Sequence, residues 1–384
     1  MFNIYRLLSF EYALKPVDAN LFMQSMQKIV ALIDLDYFYA QCEELRAPNL
    51  KGLPLVIVMP SIRENSGVVA TCNYEARALK IRSGMPLSLA KQLANQHTTF
   101  INADKLHYEE IAQRVFEIVD FNCDKIEQVS IDEAYLDLTN PEGFDKAINI
   151  CNKIKQTIFS ELNLTCSIGI SNSKFLAKMS SGIKKPGGFT IVKPEEVEHF
   201  LSKQRVSELP GTGPKAEEIF SRKHIHFVHD IKKHEIRELI EWFGDARGTQ
   251  FYNFAFGIDE REVLPNREKQ QLSRMITLEH NTNDFDSVWK SVDMLCDLVY
   301  REILKLNKKF RTVSLIIVNE KIETITRSKT RVERITSIEE LRDIERVLLR
   351  DFLNESISNV RRVGVKVSNF DEDSGMQKKL FEFK

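Results

Sequence analysis

The sequence predicts an α+β multidomain chain, and three observations carry that reading. Acidic residues stand at the ends of apolar runs, strand and helix patterns alternate from Met26 to Val192, and after residue 270 the elements follow the order β-α-β-β-α-β. A length of 384 residues exceeds one typical core and suggests two to four domains. Hydrophobic content of 43% with 28% charged residues fits an ordinary globular protein. The six cysteines show no Cys-x-x-Cys spacing and no nearby histidine partners, so buried thiols in a reducing, cytoplasmic setting are expected rather than zinc or disulfides. No apolar stretch approaches a membrane span, and the net charge of −1 says little, because acidic and basic faces cancel in the sum.

Residues 1–25 lack the pattern of a signal peptide. They are expected to be an extension outside the fold, either a translated upstream region or disordered, with a short docking helix as the alternative. From Met26 onward, strands are expected at 29–34, 54–59, 67–72, 98–101, 125–131, 134–138, 164–170 and 188–192. Helices are expected at 104–120, with Leu106, Ile111, Val115, Ile118 and Val119 on one face, and at 144–161. The segment 38–102 reads as a small subdomain inserted into this sheet domain.

Short helices follow Lys193, and Leu209-Pro-Gly211-Thr-Gly213-Pro214 is a Gly-rich turn of the helix-hairpin-helix form, whose amides could hold a backbone phosphate; a plain interhelix turn reads the same. The charged, Pro-containing stretch 260–270 is a linker. Beyond it come strand 271–279, helix 285–307, strands 311–319 and 322–333, helix 337–354 and strand 360–369, a two-layer domain with one open sheet face. Arg327, Lys329 and Arg331 recur at strand spacing and so share one side, while Arg361, Arg362 and Lys366 lie in the last strand. Such rows on the open face suit a sugar–phosphate backbone, or equally an edge strand guarded by charge. The chain ends with Gln377, Leu380, Phe381 and Phe383 in a polar tail, an apolar anchor of the kind that plugs a partner's groove, or a frayed end.

Asp34 closes the apolar run 29–33, and Asp132-Glu133 follows the run 126–131 with alternation resuming at once, which places the pair at a tight hairpin. Three clustered carboxylates cannot all stay ionised without cations. Two Mg²⁺ would neutralise them and leave room for phosphates, the layout of two-metal phosphoryl transfer; an ordinary hairpin turn is the bland alternative.

These segments resemble the Y-family translesion DNA polymerases, in the polymerase IV branch, from about Met26 to Phe370. The resemblance rests on Asp34-Leu-Asp36-Tyr37-Phe38-Tyr39-Ala40, Ala70-Thr71-Cys-Asn73-Tyr74-Glu75-Ala76-Arg77, Ser130-Ile-Asp132-Glu133-Ala-Tyr135, and Ile168-Gly-Ile-Ser171 with Lys185-Pro-Gly187-Gly188, all in order. It implies a right hand with a mixed-sheet palm (26–37 and 103–192), small fingers (38–102) and a helical thumb (193–259). A linker (260–270), a βαββαβ little finger (271–371) and a tail (372–384) would follow.

The resemblance further implies a low-fidelity DNA polymerase without proofreading that binds primer-template DNA and deoxynucleoside triphosphates. It implies two Mg²⁺ on Asp34, Asp132, Glu133 and the backbone carbonyl of Leu35. Tyr74, Arg77, Lys185, Thr71 and the amides of Phe38 and Tyr39 would grip the triphosphate. The ring of Tyr39 would exclude a 2′-hydroxyl, and Gly67, Val68, Val69, Ala70 and Gly84 would leave room over the base pair. DNA contacts would fall to Gly211, Gly213, Arg327, Lys329, Arg331, Arg361 and Arg362, with Gln377, Leu380, Phe381 and Phe383 engaging a sliding clamp from a monomer. A non-catalytic polymerase-like scaffold and a nucleotide cyclase are the competing readings.

Overall fold

The structure is a computed structural model that describes residues 28–63, 66–265 and 269–370. The extension 1–25 and the tail residues Gln377, Leu380, Phe381 and Phe383 lie outside the described residues. The described chain forms two compact units. The second holds Val58–Ala70, Ser83–Ala94 and the C-terminal domain, and the first holds the remainder.

In chain order, the elements before the linker begin with β1 (Val30–Leu35), α1 (Phe38–Arg46), β2 (Leu55–Pro60), β3 (Gly67–Cys72), α2 (Tyr74–Ala78), α3 (Leu87–Leu93) and β4 (Thr99–Asn102). They continue with α4 (Lys105–Asp120), β5 (Ile126–Gln128), β6 (Glu133–Asp137), α5 (Phe144–Leu162), β7 (Cys166–Ser171), α6 (Lys174–Gly182) and β8 (Phe189–Ile191). The short helices α7 (Val197–Ser202), α8 (Pro214–Arg222), α9 (Ile236–Phe243) and α10 (Asp245–Ala255) then close around Phe220, Phe251 and Phe254.

The main sheet has the order β5-β6-β1-β7-β8 and is mixed, with only β7 and β8 parallel. β1 is central and buried on both faces, which explains why its sequence is a continuous apolar run instead of an alternation. On α5 the buried stripe Ala147, Cys151, Ile154, Ile158 and Leu162 follows helical spacing, and Asn163 ends the helix in the left-handed region at φ 53°. α6 lies so close to β7 that a Cβ at Gly169 would stand 2.1 Å from the Ala177 carbonyl, so only glycine fits there.

Two local expectations are corrected. α4 buries Tyr108, Ala112, Val115 and Val119, whereas Leu106 is 74% exposed and Ile111 and Ile118 are half-buried. The helix is turned to bring the Tyr108 ring inward, where its hydroxyl donates to Glu43 Oε1 at 2.8 Å. β5 is only three residues long, because Val129 N and Ser130 N both donate to the Glu133 carbonyl, at 3.0 and 3.3 Å, and turn the chain before Ile131.

After the linker come β9 (Gln271–Thr282), α11 (Phe285–Lys305), β10 (Phe310–Asn319), β11 (Thr324–Ile335), α12 (Ile338–Glu355) and β12 (Val360–Phe370), the expected β-α-β-β-α-β order. The sheet runs β11-β10-β12-β9, and both helices pack on the face that carries Val313, Leu315, Ile317, Val363, Val365 and Val367. One polar side chain intrudes on this core. Glu345 of α12 is 0% exposed, and neither carboxyl oxygen has a hydrogen-bond partner among the described residues. Within the same unit, Arg63 donates to the Leu278 carbonyl at 2.6 Å and to Asn281 Oδ1 at 2.8 Å. All six cysteines are buried and unpaired, as expected.

Candidate active site

Antiparallel pairing of β1 with β6 sets Asp34 directly opposite Glu133. One residue on, Leu35 N donates to the Asp132 carbonyl at 2.9 Å, so backbone geometry alone brings Asp34, Leu35, Asp132 and Glu133 to one end of the sheet. Burial raises the pKa of Asp34, and the neighbouring charge of Glu133 adds to that rise. Lys185, whose ammonium contacts Asp34 Oδ1, opposes it. Lys178 spans both oxygens of Glu133, at 2.7 and 2.6 Å. Asp132 turns back on its own hairpin and accepts from Ser130 Oγ at 2.5 Å.

The expected ring of three carboxylates is therefore gathered in the backbone but not in the side chains. Among the described residues no group of three acidic, histidine or cysteine side chains is spaced to clasp a metal as it stands. Two ammonium groups balance the acids instead. The donor set still fits a hard divalent cation, since it consists of carboxylate oxygens and a carbonyl around a desolvated Asp34 that needs positive charge beside it.

Asp36 has a different task. Fully buried, it accepts from Ser167 Oγ and from Gly187 N, both at 2.7 Å, and so ties the turn carrying Lys185 to the end of β1. Tyr37 then opens α1 from the left-handed region at φ 36°. Phe38 is 2% exposed, so its side chain belongs to the core. The Tyr39 ring stacks on Tyr108 with centroids 4.4 Å apart and planes 19° off parallel. Burial raises the pKa of Tyr39, and the charge of Asp132 raises it further.

Thr71 stands near the end of β3, and the next turn is α2, which carries Tyr74 and Arg77 on one face. The Arg77 guanidinium lies 4.7 Å from the Tyr74 ring centroid. Tyr74 Oη is buried without a hydrogen-bond partner among the described residues. A buried donor left in that state calls for an acceptor.

The remaining candidates are dispersed. Gly211 has φ +94°, its carbonyl accepts from Arg247, and Gly213 leads into α8, whereas a 3-10 turn over Val206–Glu208 precedes the loop where a helix was expected. The cation rows do not form one surface, which corrects their placement on the open face. Arg327 and Lys329 pair with Leu315 and Val313 and so share the helix side of the sheet, where Arg327 contacts Glu355 at 2.7 Å. Arg362 and Lys366 pair with Val318 and Ser314 on the open side, and Arg361 falls at a break in register. In a structure of period two, an odd offset decides the face.

Three neighbours of the site were not anticipated. Lys178 is signalled only by its place one helical turn after Lys174, and Tyr108 by nothing more than an aromatic at a buried helix position. Asn73, which stands in the Ala70–Arg77 run with no task expected of it there, is the side-chain cap of α2, and it is a residue type that favours helix starts.

Comparison with known proteins follows the same segments. The sequence model of the impB/mucB/samB family matches residues 33–182, and that of the family's C-terminal domain matches residues 269–380. The DNA polymerase IV of Nitrosopumilus maritimus is 37% identical over 355 residues, covering 91% of this chain and 98% of that protein. That of Methanosarcina acetivorans is 38% identical over 367 residues, covering 93% and 100%. Among solved structures, a Y-family DNA polymerase chimera of Dbh and Dpo4 matches with a TM-score of 0.83 at 33% identity, over 89% of this chain and 98% of that one. The insertion ternary complex of Dbh DNA polymerase matches with a TM-score of 0.65 at 34% identity, over 89% and 98%.

Proposed function

We propose the following division of labour for a chain that belongs to the impB/mucB/samB family and is a DNA-directed DNA polymerase of the lesion-bypass type. The observation that carries it is the convergence of Asp34, Asp132 and Glu133 at the end of one sheet. Enzymes of this family use divalent metal ions. Here two Mg²⁺ would be held by these three carboxylates and the carbonyl of Leu35, lowering the pKa of the primer 3′-hydroxyl and stabilising the leaving pyrophosphate.

The protein's own side chains bind and orient. Tyr74 would give its unpartnered hydroxyl to a phosphate oxygen, and Arg77 would offer a planar fork to the same chain of phosphates. Lys185 and Lys178 balance the acids in this structure, and with metal ions bound there either ammonium would be free for phosphate, Lys185 being the expected contact. The amides at the start of α1 lack partners within the helix and suit the same anion, and Thr71 adds a hydroxyl. Tyr39, braced by Tyr108, would exclude a 2′-hydroxyl by its bulk.

The polymerase structures similar to this chain include a ternary complex, and primer-template DNA with deoxynucleoside triphosphates are its partners accordingly. The backbone contacts would come from Gly211 and Gly213 and from Arg362 and Lys366 on the open sheet face. Small residues at Gly67, Val68, Val69, Ala70 and Gly84 would tolerate distorted bases, at the expense of fidelity. Gln377, Leu380, Phe381 and Phe383 would engage a sliding clamp, and the chain would act as a cytoplasmic monomer. Among the described residues no helix is long and apolar enough to cross a membrane.

Primer extension on a plain and an abasic template tests the assignment. Asp132→Ala/Glu133→Ala should abolish synthesis on both while DNA affinity is retained. Synthesis by the double variant would overturn the metal-site reading, and loss of DNA binding would favour a structural role for the pair.

A further inference from the structure

Asn73 is 0% exposed and uses every polar valence of its amide. Its Oδ1 accepts from Leu55 N at 2.9 Å and from Ala76 N at 3.1 Å, while Nδ2 donates to the Leu53 carbonyl at 2.7 Å and to Glu44 Oε1 at 3.0 Å. The other oxygen of Glu44 accepts from Tyr37 Oη at 3.4 Å. The Tyr37 ring meets Tyr74 edge-on, with centroids 5.4 Å apart. One amide thus joins α1, the start of β2 and the first turn of α2.

That junction matters because α2 is five residues long. A helix of little more than one turn cannot hold its own direction in water and takes it from its cap and its packing. Tyr74 is the first residue after the cap, and Arg77 N donates to the Asn73 carbonyl at 3.0 Å. Arg77 Nε donates in turn to the Cys72 carbonyl at 3.2 Å. The direction in which the Tyr74 hydroxyl and the Arg77 fork are presented is therefore set behind them, by groups that are buried away from any nucleotide.

We infer that Asn73, braced by Glu44, is a positioning residue for the nucleotide triphosphate, holding Tyr74 and Arg77 in their gripping pose without itself contacting the substrate. The inference rests on the proposed role of Tyr74 and Arg77. A grip held by a satisfied buried network keeps its geometry before the substrate arrives, so less binding energy is lost in ordering it.

The test is steady-state insertion of a single nucleotide by the full chain, with kcat and the KM for the nucleotide measured separately, together with DNA affinity and thermal unfolding. Arg77→Ala should raise that KM by about ten-fold or more, as expected when a charge-assisted contact is lost. Asn73→Ala should raise it by about ten-fold with DNA affinity changed less than about two-fold, and should add less than about two-fold in the Arg77→Ala background, since both act through one grip. Asn73→Asp keeps the two acceptor bonds but sets a second charge against Glu44 and leaves the Leu53 carbonyl without its donor. Adding Glu44→Gln restores a donor–acceptor pair of reversed sense at residue 44 and should bring the KM part of the way back, the Leu53 carbonyl still lacking its donor.

An unchanged KM in Arg77→Ala would bring down the grip reading itself. A raised KM in Arg77→Ala with an unchanged KM in Asn73→Ala, or with fully multiplicative effects in the double variant, would overturn the positioning role alone. Should Asn73→Ala fail to fold, the Asn73→Asp/Glu44→Gln pair decides: no recovery over Asn73→Asp overturns the inference.

Discussion

Replacing Glu345 by leucine should stabilise the C-terminal domain, and the gain should grow with pH. The carboxyl group is fully buried on α12 beneath Leu341, Ile344, Leu348 and Leu349 of the same helix, and both of its oxygens lack partners among the described residues. Burial alone raises its pKa well above the ordinary 4.5. The folded state consequently holds the proton more tightly than the unfolded state does. Its contribution to stability is complete below the unfolded pKa and is lost as pH rises toward the folded pKa, at about 1.4 kcal/mol per pH unit. Glu345→Leu removes this slope, and it also removes the burial of an unpaired acid, a cost of about 1–3 kcal/mol. For a domain of this size the second effect alone corresponds to a rise in Tm of about 4–8 °C per kcal/mol. Urea unfolding at several pH values, followed by Trp289 of α11 in a Trp242→Phe background, reads the effect, because the chain has only two tryptophans. A variant no more stable than the parent at pH 8, or one that keeps the pH slope, would refute the reasoning by showing that Glu345 has a partner.

The other predictions follow from single contacts. Lys174 and Glu127 pair at 2.5 Å with side chains 8% and 3% exposed, so Glu127→Ala should destabilise the N-terminal unit by about 3–5 kcal/mol in urea unfolding, and Lys174→Met/Glu127→Leu by much less. Equal costs would mean that the pair is a net source of stability. Tyr39→Ala should admit ribonucleotides in primer extension, and unchanged sugar selectivity would reject its assignment. Arg362→Ala and Lys366→Ala should each reduce the slope of log affinity against log salt by about 1, whereas Arg327→Ala, held by Glu355 on the helix side, should change it less. The reverse order would place DNA on the other side of the sheet.

Much of the fold was legible because its signals are periodic and local. The apolar run before Asp34, the helical stripe of α5 and the β-α-β-β-α-β succession each depend on neighbours within a few residues, and each stands in the structure within three residues of its expected bounds. Where local pattern offered two answers, packing chose. On α4 both the Leu106 face and the Tyr108 face are apolar, and the hydrogen bond from Tyr108 to Glu43 across 65 residues selected the second. β5 ended early because Glu133, a residue of the partner strand, captured two amides of the turn.

The sequence by itself determined which chemistry the chain carries: three acids at strand ends, a Tyr-Phe-Tyr run, and an Asn-Tyr-Glu-Ala-Arg turn. Tertiary structure alone decided what those groups touch. Register set Asp34 opposite Glu133 and separated Arg327 from Arg362, and the close approach of α6 at Gly169 accompanies the contact of Lys178 with Glu133. The reason is physical: a side chain's chemistry belongs to its residue, but its charge state and its aim depend on groups that reach it only when strands distant in sequence pair and one helix is pressed against them.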